Sequence, residues 1–180
     1  MDAPAEVLQG VADRLDHTAE RCGPAIATYS NPAKTLAAEL ADSLPLIWTE
    51  SGAAGPVGRR FAAVLTDLAG RPALAAELPE ALPSHGRLLA GAFAAGADPD
   101  DFFRDRVDEQ EALHARVVLL RGRPTGGLSA ASAARELALS HDTAISELEP
   151  EEGGDLETLA ELLAITDFAA VYVALASRNH

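Results

Sequence analysis

Leu44-Pro45-Leu46-Ile47-Trp48-Thr49 is the stretch that decides the fold. It is short, continuously apolar and bounded by turn residues, which is how a strand covered on both faces reads. Small residues follow from Ser51 to Gly55, and Pro56 then opens a helix on which Phe61, Val64, Leu65 and Leu68 share one face, with Gly70 as its stop. The same order recurs downstream. Arg116-Val117-Val118-Leu119-Leu120 reads as a strand, a glycine-rich loop runs from Gly122 to Leu128, and Ser129 caps a helix reaching about His141. Thr143 to Leu148 alternates as a further strand, and Asp155 caps a long helix carrying Leu156, Leu159, Leu163, Val171 and Leu175. Upstream, Leu8, Val11 and Leu15 mark a helix closed by Cys22-Gly23-Pro24, and Asn31-Pro32 starts another through Leu36 and Leu40. Residues 73–78 and 87–93 each fit a short strand or a helix turn, and 97–105 reads as an acidic loop. Alternating strands and helices predict an α/β fold, a three-layer α-β-α sandwich on a mainly parallel sheet. Residues 1–180 are expected to form a single domain, with the helical segment 1–30 packed on it. In such folds a ligand sits beyond the carboxyl ends of the strands, at the point where strand order reverses. That directs attention to the loops at 51–55 and 122–128.

Composition narrows the partners. Fourteen Lys+Arg against twenty-eight Asp+Glu give a formal charge of −14 and a pI near 4.6. Such a field repels phosphate backbones and anionic lipid, so neither nucleic acid nor a membrane surface is expected as a partner. One cysteine, Cys22, makes no internal disulfide, no run of about 18 uninterrupted apolar residues occurs, and no signal peptide is expected. A cytoplasmic setting is the expectation.

Candidate chemistry is sparse. The loop Glu50-Ser51-Gly52-Ala53-Ala54-Gly55 leads into a helix N-terminus, where free N–H groups and the Ser51 hydroxyl favour an anion; a plain connecting loop of small residues is the alternative. The loop 122–128 matches neither a P-loop nor a dinucleotide pattern and reads as a turn. None of the five histidines stands at metal-ligand spacing from another, so no metal site is expected. His85, in the turn-prone Pro83-Ser84-His85-Gly86, has the most catalytic setting of the five, against a plain structural role. Asp67 lies beside the apolar face of its helix, where partial sequestration is expected, and a carboxylate is the group needed to move a proton next to a carbonyl.

Several segments resemble one family. Asn31-Pro32-Ala33-Lys34-Thr35-Leu36-Ala37, then Leu44 to Trp48, Arg59-Arg60-Phe61-Ala62 and Leu78-Pro79-Glu80 are similar to the second half of bacterial bifunctional phosphoglucose/phosphomannose isomerases. The likeness resumes at Asp101-Phe102-Phe103-Arg104-Asp105-Arg106-Val107-Asp108-Glu109, in the manner of the actinobacterial branch, and ends with Leu163 to Tyr172.

The resemblance implies a sugar isomerase (SIS) fold of flavodoxin-like type. It also implies reversible aldose–ketose isomerisation of glucose 6-phosphate or mannose 6-phosphate to fructose 6-phosphate, with no cofactor and no metal. In that family a glutamate in Leu-Asn-Glu-Asn-Ala-Lys moves a proton between C1 and C2. Leu65-Thr66-Asp67-Leu68-Ala69-Gly70 stands in its place, so the resemblance makes Asp67 the base, one methylene shorter. The family's Pro-Glu-x-Asn-His-Asn is here Pro79-Glu80-Ala81-Leu82-Pro83-Ser84-His85. Pro83 occupies the ring-opening histidine position, with His85 two residues later as its substitute. Substrate contacts are expected from Ser51, Gly52 and Glu80. The family's C-terminal lysine has no counterpart, and the other SIS half, with its serine- and threonine-rich phosphate loops, is not in this sequence. Weak or absent turnover by this half alone is therefore expected, and the alternative is a non-catalytic phosphosugar sensor or a structural SIS domain. A homodimer or a separate N-terminal half is the partner expected to cover surplus apolar residues on the first helix (Leu8, Val11, Leu15) and the last (Phe168, Val171, Tyr172, Leu175).

Overall fold

The computed structural model describes residues 4–50, 54–91, 114–122 and 129–177. Its elements are α1 (Ala5–Cys22), α2 (Pro32–Glu39), β1 (Ser43–Glu50), α3 (Ala54–Ala69), β2 (Leu74–Leu78), α4 (Ala81–Leu89), β3 (His114–Leu120), α5 (Ala131–Ser140), β4 (Ile145–Leu148) and α6 (Asp155–Ser177). The strands are ordered β2-β1-β3-β4, and every pairing is parallel. β1 and β3 are central, with Thr49 opposite Leu120. Their unbroken apolar runs follow from that position, because both faces are covered. Leu44, Leu46 and Trp48 join Val117 and Leu119 beneath α4 and α5. Ile47 joins Val118 and Leu120 beneath α2, α3 and α6. Each large side chain so buried contributes about 1.5–3 kcal/mol. The expected three-layer sandwich is what forms.

Of the predicted α3 face, Phe61 and Leu65 are buried and Val64 is half-buried, with Val57 buried one turn earlier, while Leu68 in the last turn is 51% exposed. Gly58 is where this helix meets β1. A Cβ there would stand 2.5 Å from Thr49 Cγ2 and 3.3 Å from Ile47 Cγ2, so only glycine permits the approach. Gly70 ends the chain's helical run with φ +63°, as a C-terminal glycine should. Asn31 caps α2 by accepting from Lys34 N–H at 2.9 Å, and its amide donates to the Gly23 carbonyl at 3.1 Å.

α6 is long and apolar enough to cross a bilayer on length and composition alone. It is instead packed on α1, α2 and α3. Its buried side chains include Glu161, 2% exposed, which accepts from Arg14 of α1 and from the Glu151 N–H at 3.1 Å. α1 is thereby fastened to α6 from outside.

Residues 83–86, expected as a turn, lie instead in helix α4, and the alternative at 87–93 resolves as helix through Leu89, because Ala81, His85 and Leu89 recur at i, i+4 and i+8 and all three are buried. Pro83 is tolerated because it stands in the first turn, where its missing N–H has no partner to lose. The alternative at 73–78 resolves as strand β2. The predicted loops at 97–105 and 122–128 fall wholly or mostly outside the described residues.

Candidate functional site

The sheet reverses order between β1 and β3, so the crevice at their carboxyl ends is the expected ligand position. Two charged residues meet there. Glu50 ends β1 and is 4% exposed, and Arg121 follows β3 directly. Arg121 Nε donates to Glu50 Oε2 at 2.6 Å, and the hydroxyl of Ser129 donates to Oε1. Ser129 Oγ also accepts from the Ala131 N–H at 3.2 Å, but the expected cap falls one residue later: Ala130 holds the N-cap position of α5 and makes no side-chain capping bond. Arg121 Nη1 lies 3.8 Å from Glu147 and 3.7 Å from Glu149. Arg135 of α5 grips Glu147 through two bonds of 2.6 Å, and that hydrogen-bonded pairing holds the Glu147 carboxyl below the usual carboxylate range. On the other side of β1, Glu77 of β2 accepts from Arg59 of α3 at 2.7 Å. Exposed Glu80 stands at the entry to α4. The carboxyl edge is thus rich in carboxylates whose nearby guanidiniums are already engaged.

The candidates drawn from sequence disperse. Ser51 and Gly52 lie outside the described residues. Glu80 is at the carboxyl edge. Asp67 is not sequestered as expected: it is exposed in the last turn of α3, which leads back toward the start of β2 and so to the amino edge of the sheet. His85 is on the other face. Its ring is buried at 8% exposure, with Nδ1 accepting from the Trp48 indole N–H at 2.7 Å. Burial holds its pKa below the usual histidine range, so the ring is neutral and carries its proton on Nε2. The structure therefore does not bring Asp67 and His85 together. Glu50 and Arg121 were not singled out by sequence reasoning. The available signals were a glutamate closing an otherwise apolar strand and an arginine directly after Arg116 to Leu120.

Residues 29–178 match the family model described as the bacterial phospho-glucose isomerase C-terminal SIS domain. The chain belongs to that family. No curated protein matches it. Among solved structures, a glucose-6-phosphate isomerase like protein from Thermus thermophilus shares the fold with a TM-score of 0.66 at 23% identity, over 96% of this chain and 50% of that one. The C-terminal domain of glucosamine-fructose-6-phosphate aminotransferase from Francisella tularensis shares it with a TM-score of 0.54 at 14% identity, over 96% of this chain and 45% of that one. This SIS domain thus spans about half the length of each of these two structures. The expected fold class and the expected family are both met.

Proposed function

We propose that this SIS domain is the half of a sugar isomerase-type protein that binds a phosphorylated sugar and does not isomerise it unaided. The observation carrying this reading is the separation of its two candidate proton carriers. Isomerisation through an enediol needs a base and a ring-opening group on one substrate, held to within about an ångström. Here Asp67 faces solvent from α3 in one helical layer, and His85 of α4 is locked against Trp48 in the other. The ring nitrogen that Trp48 occupies is not free to move a proton. Glu80 and the loop carrying Ser51 and Gly52 supply the sugar contacts. No cofactor or metal enters this reading, and a cytoplasmic setting accords with the lone buried Cys22.

Two measurements decide it. A coupled assay on glucose 6-phosphate, mannose 6-phosphate and fructose 6-phosphate should show no conversion by the isolated domain. Thermal unfolding should show stabilisation that saturates with a phosphosugar, as binding to the native state requires. Conversion that disappears in Asp67→Ala would restore Asp67 as the base and defeat the non-catalytic reading.

A second reading is favoured by the surface. Leu8, Leu15, Val171 and Leu175 are 56%, 39%, 44% and 52% exposed on α1 and α6. A second copy or a separate N-terminal SIS half covering these helices could complete a site around exposed Asp67. Light scattering of the domain, alone and mixed with such a half, tests it; a mass of 18.7 kDa in both would defeat it.

A further inference from the structure

β4 closes one end of the sheet. β3 pairs with it on one side, and no described strand pairs with the other. The Ala144 and Leu148 carbonyls accept from the Val117 and Arg121 N–H groups at 2.9 Å, so the even-numbered residues turn their backbone toward β3. Alternation along the strand then points the N–H and C=O of Ile145 and Glu147 outward. Along Ile145–Leu148 the strand lines a cavity of about 400 Å³, shared with Tyr29, Thr35 and Glu39 of α2 and the turn before it. Tyr29 is 90% exposed and belongs to neither core cluster. An aromatic ring left in water beside free backbone donors and acceptors serves recognition, not folding.

Charge selects the occupant. Arg116 and Arg121 turn inward, to the Ser146 hydroxyl and to Glu50, while Arg21 and Arg135 are tied to Glu151 and Glu147 at 2.6 Å. The side chain left most open beside the edge is Glu149, 71% exposed. In a chain of formal charge −14, pairing this edge with its own copy sets carboxylate against carboxylate, and a basic strand is attracted instead. Side-chain order supplies the rest. Ile145 and Glu147 lie on the α5 side and Leu148 on the α6 side, where Ser146 donates to Glu39. A strand laid alongside therefore meets an apolar residue, two acidic positions and a second apolar residue. We infer that the outer edge of β4 docks an extended basic segment of another protein, two basic residues flanked by apolar ones, which extends the sheet and packs on Tyr29.

The probe is a short blocked peptide with valine-arginine-arginine-valine at its centre, titrated into the domain by fluorescence anisotropy and by amide hydrogen exchange. Binding should saturate, and exchange should slow at the Ile145 and Glu147 amides, the two that face outward. Glutamates in place of the arginines should abolish binding. N-methylation of every second peptide amide separates strand pairing from charge attraction: one phase of methylation should abolish binding and the other should leave it. Tyr29→Ala, at a position outside the core, should keep the thermal midpoint and weaken the peptide by about tenfold, as loss of an aromatic anchor does. No saturable binding, equal binding of both methylated phases, protection that spares Ile145 and Glu147, or unchanged affinity in Tyr29→Ala would each overturn the inference. So would dimerisation, seen by light scattering, that protects the same two amides, since the edge would then belong to a second copy.

Discussion

The indole N–H of Trp48 donates to Nδ1 of His85 at 2.7 Å, with the two rings tilted by 37° and their centroids 6.2 Å apart. The bond ties central β1 to α4 and requires a neutral imidazole, because a protonated ring has no acceptor left. Burial lowers the folded-state pKa of His85 below that of the unfolded chain. The sign follows: the unfolded state binds the proton more readily, so stability is intact above the unfolded value of about 6.5 and falls as pH drops toward the folded value. Urea unfolding between neutral and mildly acidic pH should lose up to about 1.4 kcal/mol per pH unit from this one group. The loss should shrink in His85→Phe; an unchanged pH slope in that variant would refute the assignment.

Trp48→Phe keeps most of the buried ring and deletes the donor. Its cost should be about 1–3 kcal/mol, from the lost hydrogen bond and the indole volume not refilled. The measurement is the urea midpoint at neutral pH, with an unchanged m-value as the sign that only stability moved.

Removing Arg14 strands the Glu161 carboxylate, which is 2% exposed. Arg14→Leu should destabilise the domain by about 2–4 kcal/mol, tempered by the Glu151 N–H and by Arg21 at 3.7 Å. Replacing both partners, as in Arg14→Leu with Glu161→Leu, should recover much of that loss, because the cost lies in the unpaired buried charge. Chemical denaturation of the two variants checks it, and a double variant as unstable as the single one contradicts it.

Two glycines should respond in opposite directions. Gly58→Ala places a methyl 2.5 Å from Thr49 Cγ2 and should cost about 1–3 kcal/mol through overpacking against β1. Gly86→Ala, inside α4, meets only Leu137 at an ordinary 3.5 Å and should add about 0.5–1 kcal/mol by restricting the unfolded chain. Thermal midpoints of the pair give the comparison without reference to any ligand.

The layers were legible because strand burial writes itself locally. Leu44 to Trp48 could not be apolar on every residue unless both faces were covered, and Asn31-Pro32 announced α2 through the Asn31 side chain. α4 was harder, since Pro83-Ser84-His85-Gly86 carries turn chemistry while the helix depends on Ala81, His85 and Leu89 meeting a sheet that only the fold supplies. The order reversal between β1 and β3 was readable from topology, but the side-chain pairings beside it were not. Glu50 and Arg121 are 71 residues apart, and Trp48 and His85 are 37 apart. Local pattern carries no record of such pairings. Asp67 shows the converse: its place in a motif was readable, and its distance from His85 was not.

The register that sets Ser43 against His114 has a kinetic consequence. β1, α3 and β2 leave the ribosome together and can pair early, but β1's second edge has no neighbour until β3 has been made. Through that interval Leu46, Ile47 and Trp48 belong to an open two-stranded sheet with an unsatisfied side. Non-local parallel pairing is slow to form, and half-built sheets of this kind associate with one another. Refolding should therefore be limited by the arrival of β3 and worsen with protein concentration, and nascent chains halted before residue 114 should be the ones that chaperones hold.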